Sequence, residues 1–184
     1  DAVVVSQAVF RAIADAQTPR GVAAEIEIPP PRLAKGDCVF LEGVQDAGNV
    51  GAIVRSAAAF GVAAVVLDRA CADPWSPKVL RAGAGGHFAL SIQQVQALED
   101  ALDAFPGTVA CTVARGGQPL EAIPSVASLG WIFGSEGGGV SGALQARAGV
   151  RITIPTAPQT ESLNVAAAAA ICLYARANRP GAGS

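Results

Sequence analysis

A chain of 184 residues, 51% apolar and only 15% charged, is long enough to bury a full core and too hydrophobic to be disordered. Its formal net charge of −2 excludes a protein that holds nucleic acid by bulk electrostatics, so an RNA or DNA partner would have to be met by a local site. No apolar run approaches the roughly eighteen residues of a membrane helix and no signal-peptide pattern opens the chain, which makes a cytoplasmic address with no membrane partner the expectation.

The segment from Ser6 to Ala16 reads as a short helix capped by Ser6 and stopped by Thr18-Pro19-Arg20-Gly21. Val22 to Ile28 alternates like a strand, and Pro29-Pro30-Pro31 ends it, so residues 1–31 form a lead-in and linker. The chain has no methionine and begins at Asp1, so the expectation is a fragment, with room for a preceding RNA-binding domain.

From Asp37 onward short apolar strands alternate with helices. Cys38 to Leu41, Ala63 to Leu67, Phe88 to Ile92, Thr108 to Val113, Trp131 to Phe133 and Val150 to Ile154 are strand-like, while Val50 to Phe60, Val95 to Phe105 and Leu163 to Ala177 carry the helical patterns. Such alternation predicts an α/β domain over residues 32–178, with a mostly parallel sheet covered by helices on both faces, and a frayed tail over 179–184. The last helix is apolar nearly all round, which predicts burial on several sides. Cys38, Cys71, Cys111 and Cys172 lie far apart in apolar runs without a C-x-x-C pair, and read as buried reduced thiols rather than a metal site.

Ligands of open parallel sheets bind beyond the carboxyl ends of the strands, where three polar turns of this chain fall. The first runs from Glu42 to Asn49, with Asn49 placed to cap the helix from Val50. Val50, Ile53, Val54, Ala57 and Phe60 make one apolar stripe, and Arg55 sits about 140° from Val50, off that stripe. Position alone favours a solvated surface arginine; what shifts the balance is that a capping Asn and an off-stripe Arg stand at the carboxyl end of a strand, beside a glycine-rich turn. The second turn follows Trp131-Ile-Phe: four of the six residues from Gly137 to Gly142 are glycine, which lets backbone N–H groups approach a ligand. Gly137, Gly139 and Gly142 fit a G-x-G-x-x-G spacing, a weak signal among 21 glycines. The third, Glu161-Ser-Leu-Asn164, opens the last helix.

Taken together, Asp46-x-x-Asn49-x-Gly51-x-x-x-Arg55-x-Ala57-x-x-Phe60-Gly61, then Gly134-x-Glu136-Gly-x-Gly139, then Ile154-Pro155 and Ser162-Leu-Asn-Val165, resemble the three ordered signatures of the SpoU (TrmH-like) RNA ribose methyltransferases. Order, spacing and identity agree across roughly residues 20 to 178. The resemblance implies the SPOUT fold, with a deep trefoil knot in its C-terminal part, a homodimer, S-adenosylmethionine as cofactor and ribosomal or transfer RNA as partner, methylated at a ribose 2′-OH. By matching positions it implies Gly134, Ile154 and Leu163 in the cofactor pocket, with Thr112 at the end of the preceding strand, and Asn49, Arg55, Glu136, Ser162 and Asn164 as the catalytic set. Thr156 replaces the family's common methionine, Pro158 its glycine and Ala166 its serine; Pro158 also stiffens the loop and deletes a donor.

The chemistry asks for a group that manages the proton or the developing charge of a poor ribose nucleophile. His87, the only histidine, lies in a Gly-Gly-His-Phe turn outside the signatures and reads as structural. An arginine base is discussed for the family, but a guanidinium with a pKa above about 12 holds its proton, so a phosphate clamp that stabilises charge on the 2′-oxygen is the preferred role for Arg55. Arg32, Lys35, Arg69, Lys78, Arg81 and Arg115 are scattered cations; most read singly as solvated surface residues, with phosphate contact as the alternative. Two alternatives remain: a Rossmann-like dinucleotide enzyme, which lacks the acid expected near Ile154-Pro155-Thr156, and a non-catalytic RNA-binding relative of the same fold.

Overall fold

Four consecutive buried residues, Cys38–Leu41, form the first strand, β1, and the sheet grows outward from it on both sides. In the computed structural model, which describes residues 2–14, 21–31, 35–157, 159 and 161–179, β1 pairs with β2 (Ala64–Asp68) on one flank and β5 (Leu129–Phe133) on the other. Next to β2 lies β3 (Ser91–Val95); next to β5 lie β4 (Thr108–Thr112) and then β6 (Val150–Ile152). The order is β3-β2-β1-β5-β4-β6 and every pairing is parallel. All strands therefore release their chains at one edge of the sheet.

The two-residue period of the strands divides the core in two. Val39, Leu41, Val65, Leu67, Trp131 and Phe133 meet buried residues of α2 (Ala47–Ala59) and α6 (Val165–Ala177). Cys38, Phe40, Val66, Cys111 and Ile132 turn to the opposite face, where α4 (Leu98–Asp103) and α5 (Gly142–Gln145) supply Leu98, Leu102 and Leu144. Both faces of the sheet are thus covered, as a parallel sheet requires. The four thiols are buried and unpaired, and burial pushes Cys38, Cys71 and Cys172 up to about 12. The helix α3 (Pro77–Gly83) packs on α2 at Gly51, where a Cβ would run into Ala82 and stand 2.7 Å from the Val79 carbonyl oxygen. Only glycine allows that approach.

The chain divides into two units, Asp1–Pro30 and Pro31–Ser184. In the first, α1 (Gln7–Ile13) is capped by Ser6, whose hydroxyl accepts from the Val9 N–H at 3.3 Å, and it buries no residue. The helix is shorter than expected, and its predicted stop at Thr18-Pro19-Arg20 lies outside the described residues, as does the tail after residue 179.

Several expectations are corrected. Val22 to Ile28 forms no strand: Val22, Ile26 and Ile28 stand exposed, with no partner strand among the described residues to complete a ladder. Phe88 belongs to a 3-10 turn over Gly86–Phe88 instead of a strand, and β3 starts only at Ser91. The predicted helix from Val95 loses its first residues to β3 and to the turn before Leu98. Neither α3 nor α5 was expected, being too short for a helical period to show, although each follows a serine N-cap. The last helix is buried along one stripe, Val165, Ala169, Cys172, Leu173 and Arg176, and leaves Tyr174 59% and Ile171 37% exposed.

Candidate active site

Asp46, and not Asn49, caps α2: its carboxylate accepts from the Asn49 N–H at 2.9 Å, so the helix begins three residues earlier than the sequence suggested. That bond, reinforced by Lys78, holds the Asp46 carboxyl below its ordinary value. The consequence for the site is direct. Asn49 sits in the first turn with its side-chain amide free of capping.

At the other end of the molecule's sequence, the Asn164 Oδ1 caps α6, accepting from the N–H groups of Ala166 at 2.9 Å and Ala167 at 3.2 Å. Because these donors fix which end of the amide faces the helix, Nδ2 must face outward, and it donates to Asn49 Oδ1 at 3.0 Å. Asn49 Nδ2 in turn donates to Glu136 Oε1 at 2.8 Å. Donor polarity passes from a helix N-terminus through two amides and ends on a carboxylate. Partial burial pushes the Glu136 carboxyl up, but the Asn49 amide and the backbone N–H groups of Glu136, Asp46 and Gln45 outweigh it and hold the acid below its ordinary value. The serine that the family commonly has at position 166 is not needed for the cap, since the backbone N–H does that work.

The loop that carries Glu136 folds back on itself. Gly139 N–H donates to the Ser135 carbonyl at 2.9 Å, and a Cβ on Gly134 would run into the backbone of Gly139 and Val140. Close backbone approach, rather than a dinucleotide turn, is what the Gly134 position demands. Glu42, at the end of β1, ties the far end of the loop by accepting from the Ser141 N–H at 2.7 Å. Sequence reasoning passed over Glu42, because its partner lies 99 residues away.

Between this loop, the ends of β4 and β6 and the start of α6 lies a cleft of about 470 Å³, lined by Thr112, Gly134, Glu136, Ile154, Ser162, Leu163 and Asn164 among others. All four expected cofactor residues and three of the five expected catalytic residues line it. Asn49 joins through its bonds to Glu136 and Asn164. Arg55 does not: it is exposed on α2, off the cleft, and its side chain bonds no described residue. Six residues separate it from Asn49, about 9 Å along the helix axis and about 120° around it. Thr112 directs its hydroxyl to the Ile132 carbonyl at 3.4 Å. Thr156 lines the cleft, whereas Pro158 lies outside the described residues. His87 is buried, with Nε2 2.8 Å from the Pro74 carbonyl, which it donates to, and is structural as expected.

The cleft fits S-adenosylmethionine by the chemistry of its walls. Its volume falls within the roughly 300–1,000 Å³ of small-molecule sites. Val113, Val140, Ile154, Leu163 and Val165 offer apolar surface for a purine, while Ser135, Ser162 and Asn164 offer polar groups. Among the described residues of the lining Glu136 is the only ionisable side chain, and a carboxylate suits a cationic sulfonium.

Comparison with known proteins bears on the same residues. The model of the SpoU rRNA Methylase family matches residues 37–174, which hold all three motifs. The chain belongs to this family. Among its SpoU relatives is the 23S rRNA (guanosine(2553)-2′-O)-methyltransferase RlmP of Bacillus subtilis, 38% identical over 92% of this chain and 70% of that protein. A TrmH-family structure from Porphyromonas gingivalis superposes with a TM-score of 0.76 at 35% identity, covering 90% of this chain and 69% of that one. An AdoMet-bound rRNA methyltransferase from Sinorhizobium meliloti has a TM-score of 0.70 at 30% identity, over 79% of this chain and 56% of that one. The six-stranded parallel sheet is the α/β architecture of these SpoU proteins. The dinucleotide-enzyme alternative falls with the family match. No helix among the described residues is long and apolar enough to cross a membrane.

Proposed function

We propose that this chain is an S-adenosylmethionine-dependent RNA methyltransferase that modifies a ribose 2′-OH of ribosomal or transfer RNA. The observation that carries the reading is the hydrogen-bonded series Asn164–Asn49–Glu136, which joins one residue from each of the three motifs at the rim of the cleft. Family membership and the AdoMet named in the related structure support the cofactor.

When bound, the cofactor supplies an electrophilic methyl group on a sulfonium; everything else falls to the chain's own residues. Glu136 places negative charge beside the cationic donor, and Asn49 holds that carboxylate in one orientation. Ser162 and Asn164, at the start of α6, orient the ribose edge, while the apolar wall of Ile154 and Leu163 keeps water from the donor. Arg55, off the cleft on α2, grips the phosphate next to the target ribose, and the 2′-OH proton passes to water as the oxygen is methylated. A homodimer accords with the exposed apolar pair Ile171 and Tyr174 on α6, and the C-terminal knot, the cytoplasmic address and the division into lead-in and catalytic domain go with the family reading.

The deciding experiment follows tritium from S-adenosylmethionine into bulk ribosomal and transfer RNA, with alkali-resistant dinucleotides reporting a 2′-O-methyl. Labelled RNA whose methyl is on a base, or no labelled RNA beside a thermal shift with the cofactor, would sink the ribose assignment.

A further inference from the structure

The surface that leads away from the cleft along α2 holds an aromatic ring where no packing demands one. Phe88 is 77% exposed, although the two residues before it, Gly86 and His87, are both buried. His87 is anchored on the Pro74 carbonyl, and Gly86 is wedged against α2, where a Cβ would lie 3.0 Å from the Val54 carbonyl and 3.3 Å from the Arg55 Cα. The turn feeding them is held in left-handed backbone at Ala84 (φ 46°) and Gly85 (φ 88°), a conformation non-glycine residues seldom adopt. Anchored neighbours and a constrained turn hold the ring in water. An apolar side chain without a function in solvent has no such need of support.

Both helices packed against this turn, α2 and α3, carry cations. Arg55 rises from α2 beside Gly86, exposed and bonding no described residue, and Arg81 is exposed on α3, which packs on the same face of α2. Lys78, also on α3, stands 3.8 Å from Asp46, the cap of α2, and so connects the surface to the turn that presents Asn49 to the cleft. One aromatic face plus guanidinium groups leading to a catalytic rim matches single-stranded nucleic acid, with phosphates for the cations and a base for the ring.

We propose that Phe88, on a turn packed between the helices that carry Arg55 and Arg81, is a stacking platform for an unpaired RNA base near the target nucleotide. The proposal rests on the RNA methyltransferase reading. It assigns the chain its own contact with single-stranded RNA. The ring contributes to holding substrate and not to the chemical step.

The test measures two quantities on the whole chain. One is binding of a fluorescent oligouridylate of about a dozen nucleotides, a length suited to such platforms; the other is KM and kcat for ribosomal RNA. Phe88→Ala is expected to weaken oligonucleotide binding and raise KM roughly tenfold, with kcat and the cofactor-induced thermal shift unchanged. Phe88→Trp should restore binding, while Phe88→Leu, apolar but without a π-face, should not. Unaltered binding by Phe88→Ala, or full rescue by leucine, overturns the proposal. So does a sedimentation coefficient that falls in Phe88→Ala, because the ring would then join two copies of the chain. If the wild type methylates no RNA but binds the oligonucleotide through Phe88, the platform stands and the activity reading fails.

Discussion

At the scale of single residues, the side chains that matter most are polar groups whose orientation other groups dictate. Asn164 cannot turn its amide without abandoning the cap of α6, and Asn49 cannot turn without losing both partners. Glu136 titrates against this arrangement, and the sign follows from its lowered folded-state value. Its stabilisation of the loop is fully present above the unfolded carboxylate value and disappears as pH falls through the lower folded value. Glu136→Gln should therefore melt below wild type at neutral pH, and the gap should close on acidification below about pH 4, as read by thermal melts across pH. A gap independent of pH would remove the ionised acceptor from the account. Arg55→Lys keeps the charge and loses the planar fork, so kcat should fall roughly tenfold with cofactor affinity unchanged; full turnover would end the bidentate clamp. The motif residues were legible in the sequence, but their mutual bonds were not. Asn49 and Asn164 are 115 positions apart, and nothing local records that contact.

At the scale of elements, the motif glycine Gly51 is explained by packing and not by ligand binding. Gly51→Ala would gain about 1 kcal/mol of helix propensity, but its Cβ meets backbone atoms of α3, which cannot swing aside like a side chain. Overpacking of about 1–3 kcal/mol should win, so the variant should unfold at lower denaturant with an unchanged slope. A stabilised variant would show that α3 shifts freely. The long helices and most strands were visible because hydrophobic period and burial coincide in them, as in Val50, Ile53, Val54 and Ala57 of α2. The missed elements, α3 and α5, are shorter than two turns, and the false strand Val22 to Ile28 had the right alternation with no neighbour to pair with among the described residues.

At the scale of the whole molecule, one ion pair closes the unit Pro31–Ser184. Arg176 near the end of α6 meets Asp37, just before β1, at 2.8 Å and 3.2 Å, and also donates to the Val126 carbonyl at 2.6 Å; Asp37 accepts from the Leu129 N–H at 2.8 Å. The Arg176 side chain is only 4% exposed. Arg176→Met leaves Asp37 with the Leu129 N–H but without its cation and takes a donor from the Val126 carbonyl, which should cost about 3 kcal/mol, towards the low end for a buried pair because Asp37 keeps some access to water. The midpoint should fall by about 10 °C in calorimetry. A loss under a degree would mean that α6 is held by its apolar stripe alone.

The sequence by itself determined the α/β alternation, the burial of the thiols, the three polar turns and the family to which they belong, since each rests on residue type and short-range spacing. Only the tertiary structure decided that Asp46 caps α2, that Glu42 ties down the glycine loop, that Asn49 bridges the other two motifs, and that Arg55 stands outside the cleft beside Gly86. The reason is physical. A local pattern fixes which face of an element is apolar, but which polar ends meet depends on how a parallel sheet brings distant strand ends to one edge, and that is a property of the assembled chain.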